Sequence, residues 1–434
     1  MMRILWFSNT PANGIEYFRT DLKGTGGWLQ SLDKALQESV DLHVAFYYPH
    51  DISSFQHKKA LYYPIARGAF FVELLKKNFF HFEPDKQDLP LYLELVNKIK
   101  PDLIHIHGTE NPFGCIINQV DIPVIVSIQG NLTVILHKYF SGLERKYLGT
   151  RKNDFSHLKS FFLQDTFKSN YKRLMKMQRR ELRNLQNCNY IMGRTEWDRR
   201  ITRVLAPKST YFYNDEILRD QFYEVQWVPK KRQKIIVHTT NSNNFYKGFE
   251  TLCQALRLLL DRGCEVEWRV AGISEHDLIV KIAKKALKTD YPEKGLSLLG
   301  KLDAYDLVSC MIESDMYVMT SHIENSSNGL CEAMLLGMPC IATFAGGTGS
   351  LLKDGKEGIL IQDGDPWAMA GAVLELIHNQ DQAALYGRNA KARAQARHDK
   401  KTITNGCVSI YDHVLDLHRS VNNAQQNFKC QYQL

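Results

Sequence analysis

The chain of 434 residues has no apolar run approaching the roughly 18 residues that a membrane-spanning helix requires; its apolar stretches stop at strand length. It has no C-x-x-C pair, and its nine cysteines, an odd number, sit mostly inside apolar patterns such as Met338-Pro339-Cys340-Ile341. That argues against a disulfide frame or a zinc ribbon and predicts reduced core thiols. Met1 to Asn9 run straight into a strand pattern without a signal peptide's long apolar segment or small-residue cleavage site, so export is not expected. His105 and His107 alternate with isoleucine and share one face of a strand, but no third ligand is placed near them, and no metal site is expected.

Acidic residues are scarce in one region. Between Lys138 and Arg183, 13 Lys and Arg stand against 4 Asp and Glu, an excess of nine in a chain whose net charge is +8. Phe155, Leu158, Phe162, Tyr171, Leu174, Met175, Leu182 and Leu185 recur there at three-to-four-residue spacing, predicting amphipathic helices with a basic face. Such a face suits an anionic membrane surface or a diphosphate-bearing acceptor, and equally a solvated charged surface. Nucleic acid is not an expected partner, because no reading module surrounds the basic stretch.

A chain of this length exceeds one core and fits two domains of roughly 200 residues. Arg3 to Ser8, Leu42 to Tyr48, Leu103 to His107, Val124 to Gln129 and Tyr190 to Gly193 are short apolar runs separated by helical patterns, which predicts a parallel sheet covered on both faces. The loop Gly24-Thr25-Gly26-Gly27 opens the helix Trp28 to Glu38 and lets backbone approach a ligand. Around Asp220 to Gln233 the pattern breaks. It restarts with Lys234 to Thr239, Val266 to Gly272, Leu296 to Gly300, Met316 to Thr320, Pro339 to Thr343 and Gly358 to Ile361. The expected organisation is a domain over 1–220, a second over 221–405, a helix over 406–420 that packs back on the first domain, and a poorly ordered polar tail over 421–434. Two such domains leave a cleft between the carboxyl ends of their strands.

The most informative stretch is Glu324-Asn325-Ser326-Ser327-Asn328-Gly329-Leu330-Cys331-Glu332, which follows an apolar strand and leads into a short helix ending at Gly337. A carboxylate can accept from two adjacent hydroxyls, so Glu324 and Glu332 could hold sugar diols, and the helix start offers free N–H groups to a phosphate. On spacing alone they are equally a loop carboxylate and a helix-start charge favoured by the dipole.

The segment Asp315 to Leu376, with Ser321, Glu324, Glu332-Ala333, Gly337-Met338-Pro339, Gly346-Gly347 and Asp354-Gly355-Lys356-Glu357-Gly358, resembles the donor-binding region of family four retaining glycosyltransferases. Tyr246-Lys247-Gly248, Ala271-Gly272 and Leu299-Gly300-Lys301-Leu302 extend the likeness upstream, and Pro101 to Gly108 and Ile122 to Gly130 carry it into the first half. The resemblance implies a GT-B fold: two facing doubly wound Rossmann-like domains with an inter-domain cleft. It implies transfer of a hexose from a nucleotide-diphospho-sugar, with retention and without a metal or other cofactor, to a saccharide or polyprenyl-diphosphate-linked acceptor. The setting would be surface polysaccharide or lipopolysaccharide synthesis at the cytoplasmic face of the membrane.

In that scheme Lys247 neutralises the leaving diphosphate, Glu332 holds the ribose and Glu324 holds the hexose. Asn328, Gly329 and Leu330 present backbone N–H groups, Gly26 and Gly27 close on the phosphate, and the backbone around Leu302 meets the base. Asn243, Gly272 and Lys301 complete the donor side, and Gln129, Gly130 and Arg194 belong to the acceptor side. Two positions depart from the family. Ser242 stands near an arginine that members commonly use on the diphosphate, which leaves Arg194 or Lys301 to share the charge. Gln129 stands where many have a histidine; glutamine cannot take a proton, so His107 becomes a substitute catalytic candidate, beside the commoner reading of a satisfied strand histidine. Alternative readings on the same fold are a nucleotide-sugar epimerase and a catalytically silent sugar-nucleotide binding protein.

Overall fold

The computed structural model describes residues 1–18, 27–66, 84–149 and 167–431. Two separate sheets organise them. The first holds β1 (Arg3–Ser8), β2 (Asp41–Tyr48), β3 (Phe55–His57), β4 (Ala60–Ala66), β5 (Leu103–His107), β6 (Val124–Ser127), β7 (Tyr190–Gly193) and β8 (Thr210–Tyr213), in the order β3-β4-β2-β1-β5-β6-β7-β8. All pairs are parallel except β3 with β4. β1 reads Ile-Leu-Trp-Phe without alternation because both faces are covered: Ile4, Leu5, Trp6 and Phe7 have no exposed surface.

The second sheet is wholly parallel, with β9 (Ile235–Thr240), β10 (Val266–Ala271), β11 (Leu296–Gly300), β12 (Met316–Met319), β13 (Cys340–Thr343) and β14 (Ile359–Ile361) in the order β11-β10-β9-β12-β13-β14. Each sheet therefore has a point where successive connections leave in opposite directions, between β1 and β5 in the first and between β9 and β12 in the second. Crevices for ligands form beyond the carboxyl ends of the strands at such points. The fold class is the expected one.

Three strands were not evident as apolar runs. Thr210–Tyr213 is a part-exposed edge strand, Phe55–His57 has only three residues, and Ala60–Ala66 contains Pro64. The end of the chain also differs from expectation. One helix spans Lys400–Gln431, starting before 406 and continuing through most of the stretch read as a polar tail. Its Ile403, Cys407, Tyr411 and Val414 are buried in the core of the first domain. The Tyr411 hydroxyl accepts from Trp6 Nε1 (3.1 Å) and meets His105 Nδ1 (2.7 Å), while His105 Nε2 meets Ser127 Oγ (2.6 Å).

The two domains are joined by more than the chain crossings. Tyr139 stacks on Phe245 at 5.6 Å, and Phe167 meets the same ring edge-on at 4.5 Å. Phe167 opens the helix Phe167–Gln186, whose Tyr171 and Leu174 also pack against the core of the second domain. Tyr171 and Leu174 of the expected apolar stripe thus face the domain interface, whereas Leu185 is buried in the first domain's core and Met175 is exposed. Lys168, Lys172, Arg173, Lys176 and Arg179 are exposed, and residues 150–166 of the basic segment lie outside the described residues. No helix among the described residues is long and apolar enough to cross a membrane.

Candidate functional site

At the switch point of the second sheet the chain leaves β9 through Asn241 to Asn244 and forms one 3-10 turn, Phe245–Lys247. Gly248 follows with φ +68°, and a Cβ there would lie 1.9 Å from the Thr320 carbonyl, so only glycine fits. This close approach ties the turn to the end of β12: Lys247 O accepts from Thr320 Oγ1 (2.8 Å) and from Asn241 Nδ2 (3.1 Å). Lys247 Nζ is thereby aimed across the crevice into an ion pair with Glu324 Oε1, which also accepts from Ser321 Oγ (2.9 Å). Burial opposes the lysine's charge, but the Glu324 carboxylate and neighbouring Tyr246 outweigh it and raise its pKa.

Glu332 lies on the helix Asn328–Leu336 and is 2% exposed. Burial pushes its pKa up, against the pull of a partner that sequence reasoning missed. Arg219, on the crossing between the domains, donates from Nε to Oε1 and from Nη2 to Oε2, both at 2.7 Å. The stem of Arg219 runs over Gly27, at the start of the helix Gly27–Leu36, and its guanidinium lies over the Phe222 ring at 4.8 Å. Gly27 is therefore brought to Glu332 through Arg219. Gly26 lies outside the described residues.

The remaining donor-side residues divide by place. Asn243 Oδ1 accepts from Ile279 N (3.0 Å), so its side chain caps a neighbouring helix. Gly272 follows β10 and bonds through its N–H to Gly300 O (2.7 Å). Lys301 is exposed and Leu302 packs partly buried on the second domain's core. Asn328 and Gly329 begin the helix, where the first N–H groups have no intrahelical acceptor. The Asn328 amide is satisfied when its nitrogen faces Glu216, at 3.0 and 3.2 Å from the two oxygens. The Leu330 side chain is in the core.

The acceptor side departs from expectation at two residues. Arg194 is buried in an ion pair with Glu216, donates to Ile128 O (3.2 Å) and lies over Trp28 at 5.2 Å. Its guanidinium holds the domain crossing and is not held out to a ligand. His107 has no exposed surface; its ring lies 3.9 Å from His105 and 4.3 Å from Trp6. Burial, with His105 and Arg194 nearby, drives its pKa well down, and neither ring nitrogen has a hydrogen-bond partner. A side chain sealed in the core cannot reach an acceptor hydroxyl, so the catalytic expectation for His107 is corrected here.

Gln129 and Gly130 are part-buried, and the Gln129 carbonyl accepts from Asn325 Nδ2 (3.2 Å). Asn325 is the seam between the domains: its amide also donates to Asp198 Oδ2 (3.0 Å), and its oxygen accepts from Thr195 Oγ1 (2.7 Å). At the switch point of the first sheet stands Glu110, held by Asn9 Nδ2 (3.0 Å), with burial raising its pKa. No sequence motif had marked it. Among the described residues no group of three His, Cys, Asp or Glu side chains could hold a metal ion.

Residues 233–379 match the family model described as Glycosyl transferases group 1. The chain is 31% identical over 108 residues to an uncharacterized glycosyltransferase of Methanocaldococcus jannaschii, covering 25% of this chain and 28% of that protein. It is 25% identical over 183 residues to N-acetyl-alpha-D-glucosaminyl L-malate synthase of Bacillus anthracis, covering 42% and 46%. A capsular polysaccharide biosynthesis glycosyltransferase of Staphylococcus aureus is 24% identical over 166 residues, covering 38% and 43%. The chain thus spans between about a quarter and a half of the length of these curated relatives. Over the whole fold it is similar to sucrose-phosphate synthase from Thermosynechococcus elongatus, with TM-score 0.72 and 14% identity over 96% of this chain and 100% of that one. It is also similar to Anabaena HepE, solved with UDP and glucose, with TM-score 0.61 and 17% identity over 95% and 100%. The second domain is thus similar to the group 1 glycosyl transferases over residues 233–379, and the two domains together have the GT-B fold.

Proposed function

We propose that the protein transfers a hexose from a nucleotide-diphospho-sugar to a saccharide or polyprenyl-diphosphate-linked saccharide in surface polysaccharide or lipopolysaccharide synthesis, with retention of configuration and no bound metal. The observation that carries this reading is the Lys247–Glu324 pair at the switch point of the second sheet, with Glu332 on the helix beyond it. A charged, part-buried lysine there can neutralise a departing diphosphate. Glu324 can accept from hexose hydroxyls and Glu332 from the ribose diol. The first N–H groups of the helix Asn328–Leu336 favour an anion beside them. A capsular polysaccharide glycosyltransferase among the relatives, and HepE solved with UDP and glucose, support the choice of polymer and donor class.

The acceptor would enter from the first domain, past Gln129-Gly130 and Glu110. Lys168, Lys172, Arg173, Lys176 and Arg179 on one exposed helix support an anionic membrane surface as a docking partner at the cytoplasmic side. The test begins with thermal stabilisation by a panel of nucleotide sugars, where a ligand at 100 times its Kd adds about 2.7 kcal/mol. With the donor found, Lys247→Ala should lower the transfer rate by roughly 10²–10³ while the protein stays folded. Transfer by this variant at the wild-type rate would refute the site. Nucleoside diphosphate should accumulate only when acceptor is present; a changed nucleotide sugar formed without acceptor would indicate an epimerase.

A further inference from the structure

Both cleft carboxylates already have cationic partners, and this sets a condition on what can bind. Lys247 holds Glu324, and Arg219 holds Glu332 through two parallel N–H···O bonds. With both oxygens of Glu332 engaged by the guanidinium fork, a diol cannot add its own pair of hydrogen bonds in the carboxylate plane unless Arg219 moves. The two partners differ in freedom. The Glu332 side chain is 3% exposed and fixed on a buried helix, whereas that of Arg219 is 24% exposed and belongs to the crossing between domains, outside either sheet.

Moving Arg219 has its own cost. Pulled from Glu332 with no other anion to meet, the guanidinium would be a partly desolvated, unpaired charge against Gly27 and Phe222. A ligand that takes Glu332 must therefore bring an anion as well as a diol. A nucleoside diphosphate carries both, a few bonds apart.

We propose that Arg219 is a donor-positioning residue that exchanges partners: the ribose diol takes its place on Glu332 while its guanidinium passes to the diphosphate. This rests on the donor-site reading above and extends it, because it makes Arg219 a competitor of the nucleoside part of the donor and a ligand of the phosphate part. Since Arg219 sits on the domain crossing, donor occupancy and the position of that crossing become linked.

The two halves of the exchange have opposite signs, which makes the test specific. Wild-type protein, Arg219→Ala and Arg219→Lys are titrated calorimetrically with UDP, ADP and GDP and with uridine, adenosine and guanosine. For the base that binds, Arg219→Ala should weaken the diphosphate by roughly tenfold to a hundredfold, the size of a lost charge-assisted hydrogen bond, and should tighten the nucleoside. Arg219→Lys, which keeps charge without the fork, should fall between on the diphosphate. Equal weakening of nucleoside and diphosphate, or no change in either, would overturn the exchange while leaving the donor site standing. Failure of wild-type protein to bind any of the three diphosphates would remove both readings. Melting curves identify a variant that has not folded; if Arg219→Ala is one, Arg219→Gln replaces it.

Discussion

The two switch-point crevices face the same cleft but are built from opposite materials. Beyond β9 and β12 stand two ion pairs, Lys247–Glu324 and, with its arginine from the domain crossing, Arg219–Glu332, and a histidine, His322, set between carboxylates: Nε2 lies 2.6 Å from Glu250 Oε1 and Nδ1 lies 3.6 Å from Asp363 Oδ2. Beyond β1 and β5 the first domain places Asn9 and Glu110 over a neutral core of Trp6, His105 and His107. The difference teaches what each half is shaped to do. A charge-balanced crevice can trade its internal partners for those of a charged, hydroxylated ligand, while a crevice whose Glu110 carboxylate is held by the Asn9 amide has an acceptor and amide donors to offer sugar hydroxyls.

The sharpest way to break this comparison is at Gly248. Gly248→Ala forces a residue with a side chain into the left-handed region and against the Thr320 carbonyl, so stability should fall by about 2 kcal/mol or more and Lys247 should lose its aim. Urea melts and donor titration measure the two effects, and a variant that keeps donor affinity would show that the turn does not set the site.

Next in size, Tyr411→Phe removes the hydroxyl shared by Trp6 Nε1 and His105 Nδ1. It should cost about 1–3 kcal/mol, because buried polar groups are left without partners. The loss should appear in urea unfolding of the first domain with donor binding by the second unchanged; altered donor affinity would mean the two crevices are not independent.

The smallest effect separates the histidines by pH. Burial opposes protonation of His322, but Glu250 and Asp363 outweigh it and its pKa is raised. Its contribution is therefore complete below the unfolded value of about 6.5 and is lost as pH rises through the higher folded value. His105, driven down by burial to about 3, and His107 behave in the opposite sense: below about 6.5 only the unfolded chain takes their protons, so they cost stability as pH falls. His322→Gln should abolish the loss of melting temperature above pH 6.5, and an unchanged slope would mean His322 stays neutral.

Legibility in the sequence followed chain locality. The apolar runs of β1, β5, β9 and β12 marked buried parallel strands because both faces of such strands are covered. The residues between Glu324 and Glu332 could be read together because one loop and the helix behind it carry them. Arg219 could not be found in this way. It stands 113 residues before Glu332, just ahead of the break read around Asp220 to Gln233, and only the crossing of the domains brings it to that carboxylate. Glu110 and Asn9 were missed for the same reason, being 101 residues apart and adjacent only where β1 pairs with β5. The two readings of His107 could not be told apart because alternation along a strand tells which residues share a face, and not whether that face meets the cleft or the core.

The sequence by itself determined that this chain makes two mainly parallel α/β sheets and that Lys247, Glu324 and Glu332 follow strands of the second, since period, turn residues and spacing are local properties of the chain. Tertiary structure alone decided the partners of those charges. A carboxylate buried on one helix takes whichever cation the fold carries to it, and here that cation came from the crossing between the domains.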